Sequence, residues 1–362
     1  MDLLLQPTAL QTLWFCLIAL MFTAYFVLEG FDFGVGMNVA ALGRGRGAAA
    51  SERRGTILKT VGPVWDGNEV WLIAGGACLF AAFPEWYATL FSGFYLPLLL
   101  ILLSLILRVC AFKWREKEQG HRWRTAWDVV HVITALLPAL LWGVAFANIV
   151  AGVSIDERSW VTTSMLGLLS PFGLLGGIVF VLLFWLHGTL YLALRTRDPL
   201  RSDARRLASI LVVPTLIAAG VFLVWEQLTA SHTALTWIPL VIAALGLLAV
   251  IPANLARRTG LAFTASAIAI AAAGVQLFGG LFPYVMPAAN RAANSLTVAN
   301  ASSSGHTLGV MAISAAIFLP LVIAYQIWAY WVFRHRVEGT DSDQDGLFER
   351  ARRGYRAAFE QE

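Results

Sequence analysis

Long apolar stretches alternate along this chain with short polar loops. Nine stretches stand out: Leu10–Ala40, Ile57–Phe83, Ala88–Ala111, Trp127–Val150, Thr163–Leu194, Leu207–Leu228, Leu235–Ala253, Leu261–Val285 and Leu308–Phe333. A bilayer core about 30 Å thick takes roughly 20 helical residues, and each stretch can supply them. The pattern predicts an all-α polytopic membrane protein with nine transmembrane helices. A transmembrane barrel would show short segments of alternating polarity instead. The second stretch is the weakest, because its first half carries Asp66, Asn68 and Glu69; that half is expected to be buried against protein rather than lipid. The first stretch does not read as a signal peptide: Met1-Asp2 gives no basic start, and no small-residue cleavage signal follows.

Loop charge supports the count and sets the orientation. Basic residues gather after stretch one (Arg44, Arg46, Arg53, Arg54, Lys59), three (Lys113, Arg115, Lys117, Arg122, Arg124), five (Arg195, Arg197, Arg201, Arg205, Arg206) and seven (Arg257, Arg258). They gather again after stretch nine, at Arg334, Arg336, Arg350, Arg352, Arg353 and Arg356, whereas the alternate loops hold only Arg158 and Arg291. The positive-inside rule then predicts an outside N-terminus and a cytoplasmic C-terminus. The stretch from Met286 to Thr307, rich in Ala, Asn and Ser, reads as an exposed, irregular outer loop. No repeat of fixed period is visible. Residues 1–362 read as a single integral membrane domain ending in a short charged cytoplasmic tail, 334–362.

Composition agrees. Of the 362 residues 58% are hydrophobic and 13% charged, more apolar surface than a soluble fold of this size can hide. The net charge of +4 sits in membrane loops and is no signal for nucleic acid. Cys16, Cys78 and Cys110 lie in apolar stretches without a pairing or metal-ligand pattern and read as small buried hydrophobes.

The candidate chemistry is a set of ionisable residues inside or beside the spans. Glu29 and Asp32 are three apart, as are Asp66 and Glu69, so each pair shares a helix face. Carboxylates beside hydrocarbon are costly unless paired, protonated or set along a polar path. Two readings stand: a proton route or subunit-facing polar network, or helix capping and loop anchoring. Gly30, Gly34 and Gly36 either admit a second helix closely or loosen the end of the first span. Asp128 and His131 are spaced to pair within the fourth span, and His187 stands near the inner end of the fifth. His121, His232, His306 and His335 fall in loops or at ends, and no well-placed axial pair for a haem appears. Arg108, near the inner end of the third span, reads as a snorkelling residue. No nucleotide, catalytic-serine or ion-filter motif is present. The residues alone leave a proton-coupled secondary transporter and a subunit of a redox complex both open; the inverted helix pair a transporter favours is not seen.

Several strings resemble subunit II of cytochrome bd-type ubiquinol oxidase, including its cyanide-insensitive branch. They are Glu29-Gly30-Phe31-Asp32-Phe33-Gly34-Val35-Gly36, Trp65-Asp66-Gly67-Asn68-Glu69-Val70-Trp71-Leu72, Gly75-Gly76-Ala77-Cys78-Leu79-Phe80-Ala81-Ala82-Phe83-Pro84, Phe91-Ser92-Gly93-Phe94-Tyr95, Trp142-Gly143-Val144-Ala145-Phe146-Ala147-Asn148 and His187-Gly188. Order, spacing and length fit, most strongly before about Leu200. The resemblance implies a non-haem-ligating subunit of a complex in the prokaryotic cytoplasmic membrane that oxidises ubiquinol or menaquinol and reduces dioxygen to water in aerobic respiration. It implies two four-helix bundles plus one peripheral helix. The partner, subunit I, is expected to carry haem b and haem d or a further haem b; this chain is expected to ligate neither cofactor nor metal. A structural quinone or lipid and a small single-span accessory subunit occur among such complexes. By the same resemblance Asp66 is the proton entry, and Glu29 and Asp32 belong to its polar network. With the residue reading above, Glu29, Asp32 and Glu69 join Asp66 as proton-transfer candidates, and Asn68, Asp128, His131 and His187 are candidates for the polar network. One departure stands out: where many relatives carry an acid after the third span, this chain reads Phe112-Lys113.

Overall fold

A computed structural model describes residues 6–45, 47–118, 120–231 and 233–337. The charged tail from 338 on, His232 and Arg46 lie outside the described residues. Among the described residues eleven α-helices run in chain order: α1 (Ala9–Ala41), α2 (Ala48–Lys59), α3 (Trp65–Ala82), α4 (Pro84–Gly93), α5 (Tyr95–Trp114), α6 (His121–Ala151), α7 (Pro171–Arg195), α8 (Leu200–Thr229), α9 (Trp237–Leu255), α10 (Thr259–Leu281) and α11 (Gly305–Val332). Eight of them, α1 and α5–α11, are long and apolar enough to cross a membrane. The fold is therefore an all-α polytopic membrane fold.

Two expected spans are broken. The run Ile57–Phe83 divides into the end of α2, a turn over 60–64, and α3, which at 18 residues with a polar first turn is not among the eight. The run Ala88–Ala111 divides at Phe94, between α4 and α5. Two expected limits also move. Pro171 starts α7 with Ser170 as its cap, accepting from Gly173 N at 3.0 Å, so 163–170 lies outside the helix, with a 3-10 turn at Gly167–Leu169. The helix α10 ends at Leu281, and Val285 lies in a short strand.

The helices α1, α3, α5 and α6 pack as one group and α7–α10 as another, with α1 against α7 and α6 against α7 between them. The seam is made by glycines. A Cβ on Gly34 would overlap the carbonyl of Phe184 and the backbone of Gly188, so α1 and α7 touch main chain to main chain. Gly143 on α6 meets Gly176 and Gly177 on α7 in the same way. Thus Gly34 serves close approach; α1 runs on unbroken to Ala41, against the reading of a loosened end. Above the seam an aromatic core fills the centre: Phe26 lies edge-on to Phe146 at 5.0 Å and to Phe180 at 5.1 Å.

The stretch 286–307 is only in part the exposed, irregular loop expected: 289–293 are exposed, but Met286 and 295–298 are buried. Tyr284–Met286 (β1) and Leu296–Thr297 (β2) form an antiparallel hairpin, with Val285, Met286 and Val298 fully buried. Asn290 and Asn294 hydrogen-bond the backbone of Ile155, and Gln11, which completes the capping box of α1, donates to Ser302 Oγ at 2.6 Å. The cysteines depart from expectation too: Cys16 is exposed and Cys78 and Cys110 are half-buried.

Candidate functional site

The sequence places acids in the second half of α1, at the start of α3, and an arginine near the end of α5; packing brings these three levels together. Glu29, Asp32 and Arg108 are all buried, at 0, 1 and 1% exposure. Arg108 Nη1 donates to Glu29 Oε1 and stands 3.9 Å from Glu69 Oε1. Its guanidinium lies over the rings of Phe33 and Phe112, 4.8 and 5.6 Å from the ring centres. Arg108 therefore does not snorkel. The buried carboxylates give its charge a partner within the fold, which water at the span's end would otherwise provide.

Asn68 ties the cluster together. Its Nδ2 donates to Asp32 Oδ2 at 2.7 Å and to Leu28 O at 3.2 Å. Its Oδ1 accepts from Tyr330 OH at 2.6 Å and from Gln326 Nε2 at 3.1 Å. Gln326 and Tyr330 lie on α11, four residues apart and hence on one face. Glu29 Oε2, Asp32 Oδ1 and Glu69 Oε1 have no hydrogen-bond donor among the described residues. One cation thus faces three carboxyl groups.

Asp66 stands apart. It is exposed in the first turn of α3, with Glu69 one turn further in. Lys113 is likewise exposed near the end of α5, while the adjacent Phe112 stacks on Trp65 at 5.4 Å.

The Asp128–His131 pair does not form. Asp128 Oδ1 accepts from Arg115 Nε at 2.6 Å, and its Oδ2 lies 2.7 Å from Arg54 Nε as an ion pair without hydrogen-bond alignment. Arg115 also donates to Ser51 O and Arg54 to Gly43 O, so this clamp binds α2 and the ends of α1, α5 and α6. His131 instead turns its ring toward Phe112, 4.5 Å between centres. His187 is fully buried and separate from the acidic cluster. It stacks flat on Phe263 at 4.5 Å, with Nδ1 2.7 Å from Ser266 Oγ and Nε2 3.2 Å from Val27 O. Both ring nitrogens are engaged within the fold, which suits a helix staple and not an axial haem ligand. Among the described residues no group of three or more His, Cys, Asp or Glu could hold a metal ion.

A cleft of about 650 Å³ opens between α3, α4 and α5, with aromatic walls at Phe80, Tyr87, Phe91 and Tyr95 and with Glu69 as its carboxyl. Sequence reasoning missed Arg108, Gln326 and Tyr330 as site residues. The signals were present: an arginine inside a leucine-rich helix, and a glutamine and tyrosine spaced by four on an otherwise apolar one.

Fold and site together define a polytopic helical membrane protein that buries a mixed-charge cluster where three of its helices meet. The family model described as cytochrome bd terminal oxidase subunit II matches residues 10–333, and the chain belongs to that family. It is 38% identical over 336 residues to cytochrome bd ubiquinol oxidase subunit 2 of Bacillus subtilis (strain 168), covering 91% of this chain and 97% of that one. It is 34% identical over 374 residues to cytochrome bd-I ubiquinol oxidase subunit 2 of Escherichia coli (strain K12), covering 93 and 97%. The fold is similar to a chain of bd oxidase from Geobacillus thermodenitrificans, with a TM-score of 0.71 at 18% identity over 89% of this chain and 98% of that one.

Proposed function

We propose that the chain is the non-haem-ligating subunit II of a quinol:oxygen oxidoreductase in a prokaryotic cytoplasmic membrane. It braces a haem-bearing subunit I and helps deliver cytoplasmic protons to the oxygen-reducing site there. Family membership supports the complex over an independent transporter. The observation that carries the proton role is the count of one arginine against three carboxyl groups in the buried cluster. Unbalanced buried charge is expensive, so a neutral cluster holds protons shared among Glu29, Asp32 and Glu69. Such a cluster can accept a proton from one side and pass it on.

The placement suits an inward-facing role. Glu29 lies 20 residues past Ala9 in α1, about 30 Å along the helix at 1.5 Å per residue, one hydrocarbon thickness from the start. With the N-terminus outside, as loop charge favours, the cluster meets the cytoplasmic boundary, with Asp66 exposed as the entry and α3 as the ninth crossing segment. The oxygen chemistry belongs to haem b and haem d, or a further haem b, in the partner, with quinol and dioxygen as substrates of the complex. A single-span accessory subunit is compatible with the uncovered faces. The cleft between α3, α4 and α5 has the apolar lining that a structural quinone or lipid tail needs, with Glu69 for a polar head.

The test is Asp66→Asn and Glu69→Gln in the assembled complex. Quinol-driven oxygen consumption and membrane-potential generation are expected to fall while the haem spectrum holds. Unchanged rates overturn the proton role.

A further inference from the structure

The bonds around Asn68 give α11 a part in the site. An amide can donate twice and accept twice, and Asn68 uses all four capacities. Turning it over would set its oxygen against Leu28 O and Asp32 Oδ2, two acceptors. The tyrosine hydroxyl and glutamine amide from α11 polarise it in the observed sense, because each donates to Oδ1 and so strengthens what Nδ2 offers. The oxygen Asp32 Oδ2 therefore always meets a donor, whereas Asp32 Oδ1 and Glu29 Oε2 meet none among the described residues.

A hydrogen bond to a carboxylate oxygen favours the ionised form. The charged and titratable groups that face Asp32 are Glu29 on its own helix, Glu69 from α3, Arg108 from α5, Tyr191 from α7 and Tyr330 from α11. Arg108 bonds Glu29 directly and favours the ionised form of that carboxyl group; the donor that Asp32 has is Asn68.

We propose that Tyr330 and Gln326 are positioning residues for proton transfer: by fixing Asn68 as a donor to Asp32, they favour its ionised form and so ease release of the proton that Asp32 passes on. This rests on the proton-delivery reading above. The rest of α11 shows what is special here. Tyr325, one residue before Gln326, is exposed and makes no such bond among the described residues, while Gln326 and Tyr330 are half-buried against α3 and α1. Through these two residues the outermost helix of the fold reaches the buried acids.

The experiment uses the whole complex, with Tyr330→Phe, the double variant Tyr330→Phe/Gln326→Leu, and Tyr325→Phe as the control. Losing the donors makes Asp32 hold its proton more tightly. The expected result is a several-fold lower kcat for quinol-driven oxygen consumption near neutral pH and an alkaline limb of the pH profile moved up by about half a unit or more. The KM for quinol and the haem spectrum should stay at parental values, and Tyr325→Phe should be silent. If the double variant fails to assemble, Tyr330→Phe alone decides, since it removes a single oxygen atom. A parental kcat and pH profile in assembled Tyr330→Phe overturns the proposal, as does a fall in activity that only tracks lost haem. If Asp66→Asn and Glu69→Gln slow turnover while Tyr330→Phe does not, this inference alone fails. If all are silent, the proton-delivery reading fails with it.

Discussion

Arg108 and Glu29, 79 positions apart in sequence, form an ion pair with both side chains shut away from solvent. Burying such a pair gives little net stability, but breaking it leaves one buried charge alone, which costs about 3–5 kcal/mol. Arg108→Leu is therefore expected to lower the melting temperature of the purified complex sharply. The double variant Arg108→Leu/Glu29→Leu should recover much of that loss, although not the turnover. A double variant no more stable than Arg108→Leu would contradict this account.

Asp128 stands between two guanidinium groups, those of Arg54 and Arg115, and all three residues are buried. Asp128→Ala leaves two like charges facing each other. The expected cost is again about 3–5 kcal/mol, read as lost thermal stability and a lower yield of assembled complex. Arg53 and Asp203 provide the contrast: their pair is partly exposed at 2.5 Å, and Asp203→Ala should change stability by less than about 1 kcal/mol.

The seam between α1 and α7 has no room for a side chain at Gly34. Gly34→Val is expected to abolish assembly, because the obstruction is backbone of Phe184 and Gly188 and cannot rotate away. Gly76→Ala, on α3 with nothing within 4 Å of the added carbon, should assemble like the parent. Haem absorbance per unit of membrane protein distinguishes the two.

Glu226 on α8 is fully buried. It accepts one hydrogen bond from Gln276 at 2.6 Å and has no cation paired with it among the described residues. Nothing electrostatic is lost when the carboxyl becomes an amide, so Glu226→Gln should remain within about 1 kcal/mol of the parent or exceed it. Glu226→Lys introduces an unpaired charge into an apolar bundle and should prevent accumulation of the protein. Thermal denaturation and membrane yield would show whether the two variants separate in this way.

The apolar runs and their lengths were readable because hydrocarbon imposes them on every spanning helix. The breaks at 60–64 and Phe94 were not, since an apolar run looks the same whether or not the helix bends back within it. Glu29, Asp32 and Asn68 were legible as costly groups beside lipid, and the structure brings them together. Their partners were not legible. Periodicity within a helix says which face a residue takes but not which of the other helices that face will meet, so Arg108 passed for a snorkelling residue and Asp128 for the mate of His131. Tertiary packing, not local spacing, chose Arg115 and Arg54 for Asp128. The hairpin at 284–297 was missed because its strands are only three and two residues long, too short to carry an alternating pattern.

The last helix also bears on the order in which the protein is made. Synthesis proceeds from the N-terminus, so Glu29, Asp32, Asn68 and Arg108 are all inserted long before Gln326 and Tyr330 leave the ribosome. Until α11 docks, the Asn68 carbonyl is without the two donors it meets among the described residues. A nascent chain halted before Gly305 would hold a nearly complete acidic cluster with an unsatisfied amide facing the membrane. Arrival of the final helix closes that gap, which makes its docking a natural checkpoint between an inserted polypeptide and a finished subunit.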